Sequence, residues 1–197
     1  GRGELLGGRK PFDYQKCGDV LRTLIGSVPG KDFVCLDLFS GSATTAHAVM
    51  QLNAEDGGHR KFIMVQLPEK CDEASEAYKA GYKTICEIGE ERIRRAGKKI
   101  KEESPLTTTD LDIGFRVFKV DSSNMENVYY RPADYNQGQM ELFADNIKPD
   151  RTPEDLLFQV MLDLGILLSS DIQETEIAGK KVFSVADGYL IACFDKN

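Results

Sequence analysis

The apolar positions of this chain fall into blocks with two different periods. Residues 19–25 carry Val20, Leu21, Leu24 and Ile25 at helical spacing, and Gly26 and Pro29 stop the pattern. Residues 33–39 (FVCLDLF) form a nearly continuous apolar run, which predicts a strand buried on both faces of a parallel sheet. Ser40-Gly41-Ser42 breaks the run, and helical period resumes over 44–52 with Ala46, Val49 and Met50. A polar turn over 53–60 leads into a second buried strand over 62–67 (FIMVQL), ended by Pro68. Residues 33–67 thus spell strand, tight glycine turn, helix, turn and strand, a βαβ unit of Rossmann type. Ligands of such sheets bind beyond the carboxyl ends of the strands, here around 37–45 and 66–69.

Farther along, 71–79 predicts a helix interrupted at Gly81. A long helix over 84–103 has Ile85, Ile88, Ile93, Ala96 and Ile100 on its apolar side. Gly89 and Gly97 weaken it by about 1 kcal/mol each relative to alanine. Residues 115–120 (FRVFKV) alternate as a strand with one wet face, and 121–150 are polar with scattered aromatics. The last 47 residues form a separate pattern. Thr152 is the N-cap and Pro153 the first residue of a helix whose stripe is Leu156, Leu157, Val160, Met161 and Leu164. Short strands follow over 174–177, 182–185 and 189–194, joined by Ala178-Gly179-Lys180 and the hairpin signal Asp187-Gly188. The expected organisation is a Rossmann-like α/β region over 1–120, a linker or irregular segment over 121–150, and a small α+β lobe over 151–197.

With 29% charged and 41% hydrophobic residues, the composition is that of a globular protein, and no apolar run is long enough to cross a bilayer. The net charge of -7 is unevenly spread: residues 1–103 sum to about +1 and 104–197 to -8. Any contact with nucleic acid phosphates therefore belongs to the first half, and the acidic second half suits protein or solvent. Five cysteines lack Cys-x-x-Cys spacing and, with Cys35 and Cys193 inside apolar runs, read as buried reduced thiols in a cytoplasmic protein. His47 and His59 lie far apart in sequence, which disfavours a metal or acid–base pair. The first methionine, Met50, falls inside a predicted helix, so the chain is expected to be part of a longer gene product.

The residues with the sharpest chemical signal are Asp37-Leu38-Phe39-Ser40-Gly41-Ser42-Ala43-Thr44-Thr45. Glycine at a strand-to-helix turn lets a ligand approach the backbone, and the helix behind it offers free N–H groups to a carboxylate or phosphate. Position 43 is alanine, so the dinucleotide fingerprint Gly-x-Gly-x-x-Gly is absent. Spacing alone is equally compatible with a structural turn and with a cofactor loop.

Phe39-x-Gly41 after an apolar strand resembles the S-adenosylmethionine motif of DNA amino-methyltransferases. The wider run 37–69, the helix carrying Glu91-Arg92-Ile93-Arg94-Arg95-Ala96 and the stretch from Thr152-Pro153-Glu154-Asp155 to Asp187-Gly188 are together similar to the modification (Mod) subunit of type III restriction-modification systems, a beta-class DNA adenine N6-methyltransferase family. The resemblance implies a Rossmann-like, S-adenosylmethionine-dependent methyltransferase half-domain. Phe39 and Gly41 would line the methionine end of the cofactor, with hydrogen bonds from Ser42, Thr44 and Thr45. Asp37 would orient the loop or accept from the cofactor's amino group, and Gln66 or Glu69 would take the ribose hydroxyls. Phe12 and Lys16 match the upstream cofactor-pocket motif. Double-stranded DNA, a restriction (Res) subunit and a second copy of the chain are the partners implied for the whole protein.

The sequence departs from the family pattern in two ways. Alanine replaces the second glycine at 43, at a cost on the order of 1 kcal/mol if φ is positive there, and Gln15-Lys16-Cys17 stands where prolines flank the lysine. The catalytic motif Asp-Pro-Pro-Tyr, which holds and stacks the extruded base, is absent, because no two of the seven prolines are adjacent. The chain alone is therefore expected not to methylate DNA. The alternative is a non-catalytic module for dimerisation or restriction-subunit binding. A nicotinamide-binding domain is disfavoured by the glycine pattern. The one basic cluster, Arg92 to Lys101, is interleaved with glutamates and reads first as a solvated, ion-paired helix face and second as a DNA contact. Tyr129, Tyr130 and Tyr135 read first as loop aromatics covering a sheet edge and second as a stacking surface for bases.

Overall fold

The computed structural model describes residues 18–127 and 146–195. Contacts divide the chain into two compact units, Gly1–Phe115 and Arg116–Asn197. Phe12, Lys16 and the tyrosines at 129, 130 and 135 lie outside the described residues.

The first unit begins with α1 (Gly18–Gly26), followed by β1 (Val34–Asp37), α2 (Thr44–Asp56), β2 (Lys61–Met64), a single turn α3 (Glu76–Lys79) and α4 (Ile85–Glu103). β1 and β2 pair in parallel, Val34 opposite Lys61 through Asp37 opposite Met64, with α2 crossing between them. The βαβ unit expected from the hydrophobic pattern is therefore present. One face of the pair is covered: Phe62 and Met64 pack on the cluster of Ala43, Ala46, Met50, Ile93, Ala96 and Ile100 built by α2 and α4. The other face is not covered among the described residues. Val34, Leu36 and Ile63 are each more than half exposed, so the expected burial of both strand faces is corrected to burial of one. An apolar run records that side chains suit a dry setting; it does not say which layer supplies that setting.

The far end of α2 is fixed by side chains. Asn53 and Arg60 exchange hydrogen bonds, Nδ2 to the Arg60 carbonyl at 2.8 Å and the Arg60 N–H to Oδ1 at 3.2 Å. The buried Arg60 guanidinium grips Asp56 through both oxygens at 3.0 and 2.9 Å and lies 5.5 Å from the Phe33 ring centroid. Gly57 in the left-handed region ends the helix by donating to the Asn53 carbonyl.

Three other expectations need correction. Residues 71–79 yield only α3, capped by Ser75, because an Asp72 turn (Ala74 N–H to Oδ1, 2.8 Å) occupies the preceding backbone. Residues 115–120 form no strand. Phe115 instead lies under the Arg94 guanidinium, whereas Phe118 makes an edge contact with Phe158 at 4.8 Å. Alternation needs a partner strand to become a ladder, and the described residues supply none. Finally, Cys193 is exposed, while Cys35, Cys71 and Cys86 are only partly buried.

In the second unit, α5 (Pro153–Asp163) precedes an antiparallel meander of β3 (Ile172–Ile177), β4 (Lys180–Val185) and β5 (Leu190–Ala192). Thr152 accepts from the Asp155 N–H while Asp155 accepts from Thr152, a complete capping box with proline at the first turn. Leu157, Met161, Ile166, Phe183 and Val185 form the core. The hairpin turns place Ala178-Gly179 and Ala186-Asp187-Gly188 at positive φ. The helix and meander expected from the sequence are both present.

Candidate functional site

The loop from β1 into α2 is held by three side chains from three elements. Asp37, the last residue of β1, accepts the Phe39 N–H through Oδ1 (3.2 Å) and the Thr45 hydroxyl through Oδ2 (2.6 Å). Beyond β2, Gln66 accepts the Gly41 N–H through Oε1 at 2.7 Å, and its Nε2 donates to the Leu67 carbonyl. From α4, Arg92 donates through one terminal nitrogen to the hydroxyls of Ser42 and Thr44, both at 2.9 Å. Backbone bonds complete the turn: Ser40 N–H to the Val65 carbonyl and Ala43 N–H to the Ser40 carbonyl.

Two residues of this turn lie in the left-handed region, Gly41 at φ 53° and Ala43 at φ 56°. A side chain at Gly41 would meet nothing within 4 Å, so what glycine contributes there is backbone conformation and an open surface. The Ala43 methyl faces the other way. Ala43 is buried in the α2–α4 core, and its Cβ would lie 3.6 Å from a Cβ built on Gly89. Gly89 is therefore a contact position: a Cβ there would also stand 3.3 Å from the Gly41 carbonyl oxygen. The expectation that this glycine merely weakens the helix is incomplete.

The sequence-derived candidates divide by accessibility. Phe39 is 78% exposed, its ring available beside the loop. Ser42 is half-buried, Thr44 buried and Thr45 turned onto Asp37. Both polar atoms of the Gln66 amide are used within the protein, whereas the carboxylate of Glu69 is exposed. Cys86 donates its thiol to the Gln66 and Leu67 carbonyls; burial, with Glu90 and Glu87 adding, raises the pKa of that thiol.

The sequence offers Arg92 only as a member of the basic cluster, a solvated face or a DNA contact; it is buried instead, as its helical spacing on the stripe of Ile85, Ile88, Ile93 and Ala96 requires. Four other members of the basic cluster are ion-paired along α4, Arg94 to Glu90 at 2.9 Å, Arg95 to Glu91 at 2.6 Å, Lys98 to Glu102 at 3.8 Å and Lys99 to Glu103 at 3.6 Å. His47, on α2, is half-buried; burial foremost, then Arg92 and Lys99, pushes its pKa down to about 4. It is neutral at physiological pH. No group of three or more metal-ligating side chains occurs among the described residues.

No family model matches the chain. It is 45% identical over 121 residues to the type III restriction-modification enzyme StyLTI Mod subunit of Salmonella typhimurium, covering 60% of this chain and 18% of that protein. With the EcoP15I Mod subunit of Escherichia coli the identity is 31% over 188 residues, 93% of this chain and 27% of that protein. With the type II methyltransferase M.KpnI of Klebsiella pneumoniae it is 37% over 86 residues, 44% of this chain and 21% of that protein. The chain thus spans between about a fifth and a quarter of the length of these curated relatives. These comparisons bear out the resemblance carried by the motifs: over most of its length the chain is homologous to a part of type III modification subunits.

Proposed function

We propose that this chain is the S-adenosylmethionine-binding portion of a site-specific DNA adenine N6-methyltransferase of a type III restriction-modification system. The observation that carries the reading is the loop at the carboxyl ends of two parallel strands, held open by Asp37, Gln66 and Arg92 in a relative of Mod subunits. The residues fit the cofactor's chemistry. Gly41 presents backbone without a Cβ, Phe39 presents an exposed ring, and α2 begins without a side-chain cap, leaving its first N–H groups free for an anionic group. Of the two ribose candidates, Glu69 is the one whose oxygens remain open, while Gln66 braces the loop.

When bound, S-adenosylmethionine supplies a methyl group on a sulfonium, ready for attack by an amine. The protein's part in this chain is to bind and orient: Asp37 fixes the start of the turn, Gln66 its middle and Arg92 its entry into α2. Asp-Pro-Pro-Tyr is not in the sequence, so the acceptors for the target amine and the stacking ring would come from the rest of a whole modification subunit. Double-stranded DNA, a Res subunit and a second Mod copy would be that whole protein's partners, and the chain by itself binds cofactor without methylating.

The competing idea of a degenerate, non-catalytic module rests on Ala43 and on the altered lysine motif Gln15-Lys16-Cys17, which lies outside the described residues. Alanine here already takes the left-handed conformation that glycine would take, and its methyl packs into the core. The loop trace is therefore compatible with binding. Isothermal titration of the chain with S-adenosylmethionine, S-adenosylhomocysteine and NAD tests the proposal. Binding of the first two without the third is expected; binding of neither methionine-derived ligand would refute it.

A further inference from the structure

Two arginines of the first unit are buried to a similar degree, Arg60 at 5% exposure and Arg92 at 9%. Their surroundings differ in one respect. Arg60 has a carboxylate, Asp56, on both terminal nitrogens. Among the described residues Arg92 has no carboxylate within ion-pair distance, and its partners are the hydroxyls of Ser42 and Thr44; the Nε of both arginines is without a partner there. A buried charge without a counter-charge is costly, because neutral hydroxyls recover only part of the lost hydration. Burial lowers the pKa of Arg92, and the neighbouring His47 is held neutral in part by it. No carboxylate contributes to Arg92's shift.

The direction of the hydrogen bonds shows where the missing charge belongs. A guanidinium only donates, so the Ser42 and Thr44 oxygens both accept from Arg92. Ser42 Oγ and Thr44 Oγ1 are 3.5 Å apart, and Thr44 is buried whereas Ser42 is half-buried. The Thr44 hydrogen can go to Ser42, which leaves the Ser42 hydrogen to donate outside the cluster. Beside it begins the 13-residue helix α2, whose N-cap, Ala43, offers no side-chain acceptor. An uncompensated cation, an outward hydroxyl and an uncapped helix start therefore converge on one loop, and all three favour an anion.

We infer that Arg92 is the positioning counter-charge for the carboxylate of the cofactor's amino-acid end, acting through the hydroxyls of Ser42 and Thr44. This rests on the S-adenosylmethionine reading of the site and adds to it a residue that orients one end of the ligand. Arg92 belongs to the ligand's binding, and the ion-paired face of α4 does not share in it.

The test compares two ligands that share the adenosine and thioether parts but differ in the amino-acid group: S-adenosylhomocysteine, which has it, and methylthioadenosine, which lacks it. Calorimetry on the unaltered chain, Arg92→Gln and Ser42→Ala is paired with thermal melts. Arg92→Gln is expected to weaken S-adenosylhomocysteine roughly tenfold or more and to leave methylthioadenosine within about twofold. Ser42→Ala shifts the same preference in the same direction, and it carries the test if Arg92→Gln does not fold. Equal weakening of both ligands, or no weakening of either, overturns the role of Arg92 alone. An unaltered chain that binds neither ligand overturns the reading of the site, and this inference with it.

Discussion

Gly97→Ala is expected to destabilise the first unit by about 1–2 kcal/mol, although the substitution favours the helix that contains it. Gly97 lies well inside α4, where alanine is worth about 0.8–1 kcal/mol over glycine. Against that gain stands a contact that allows no adjustment by rotation. A Cβ at 97 would lie 2.8 Å from the Cβ of Ile113, 3.2 Å from its Cγ2 and 3.4 Å from its Cδ1. Carbon atoms prefer about 3.5–4.0 Å, so α4 and Ile113 must separate by most of an ångström. Ile113 packs on the α2–α4 cluster, and its branch point is fixed to the backbone. Overpacking of this kind costs about 1–3 kcal/mol; the absence of a rotamer escape places it in the upper part of that range, and the propensity gain is subtracted from it. Gly89→Ala is the internal control, with the same helix and the same propensity gain but a closest approach of 3.3 Å, to the Gly41 carbonyl. Its stability should stay within about 0.5 kcal/mol of the unaltered chain, while its cost appears as weaker S-adenosylhomocysteine binding. Urea unfolding followed by far-ultraviolet circular dichroism compares the midpoints. A Gly97→Ala chain as stable as Gly89→Ala would refute the reasoning, because packing against Ile113 would then not require the glycine.

Asp56→Asn should cost about 2–3 kcal/mol at neutral pH, since it leaves the buried Arg60 charge without its counter-charge. The hydrogen bond from Arg60 is the main reason that the Asp56 carboxyl sits below the usual carboxylate range. Its contribution is therefore complete above the unfolded pKa of about 3.9 and is lost as pH falls through the lower folded value. Unfolding curves of the two chains should converge in strong acid, and a gap that persists there would count against the pairing. In the second unit, Thr152→Ala removes one half of the capping box and should lower the stability of α5 by about 1 kcal/mol, with Thr152→Ser restoring most of it. Hydrogen exchange in the first turn of α5 reads this directly, and unchanged protection there would contradict it.

What could be read from the sequence was local. The α5 start was legible because Thr152, Pro153 and Asp155 act within one turn, and the βαβ order was legible because period and punctuation change at Ser40-Gly41 and Pro68. The rest depended on partners far along the chain. Nothing near Val34 or Leu36 indicates that one face of β1 is left uncovered by the described residues. Nothing near 115–120 reveals that the described residues supply no partner strand. Gly89 and Gly97 look like weak points of a helix until Gly41 and Ile113 are brought beside them. Within the site, Asp37, Gly41, Ser42, Thr44 and Thr45 were legible because they are consecutive or nearly so. Arg92, 50 residues from Ser42, stands among basic neighbours of which Arg94, Arg95, Lys98 and Lys99 are paired along the same helix.

The three braces also bear on why alanine is tolerated at position 43. A left-handed alanine costs about 1–2 kcal/mol, a strain that persists only where the surroundings impose it. Here they do so from both sides. The Ala43 N–H is held by the Ser40 carbonyl, and the residues flanking it, Ser42 and Thr44, are bound by the same Arg92 nitrogen. Its methyl, which glycine would lack, fills space opposite Gly89 in the core. Alanine at position 43 therefore keeps the left-handed backbone trace, the one on which the proposed cofactor binding would depend.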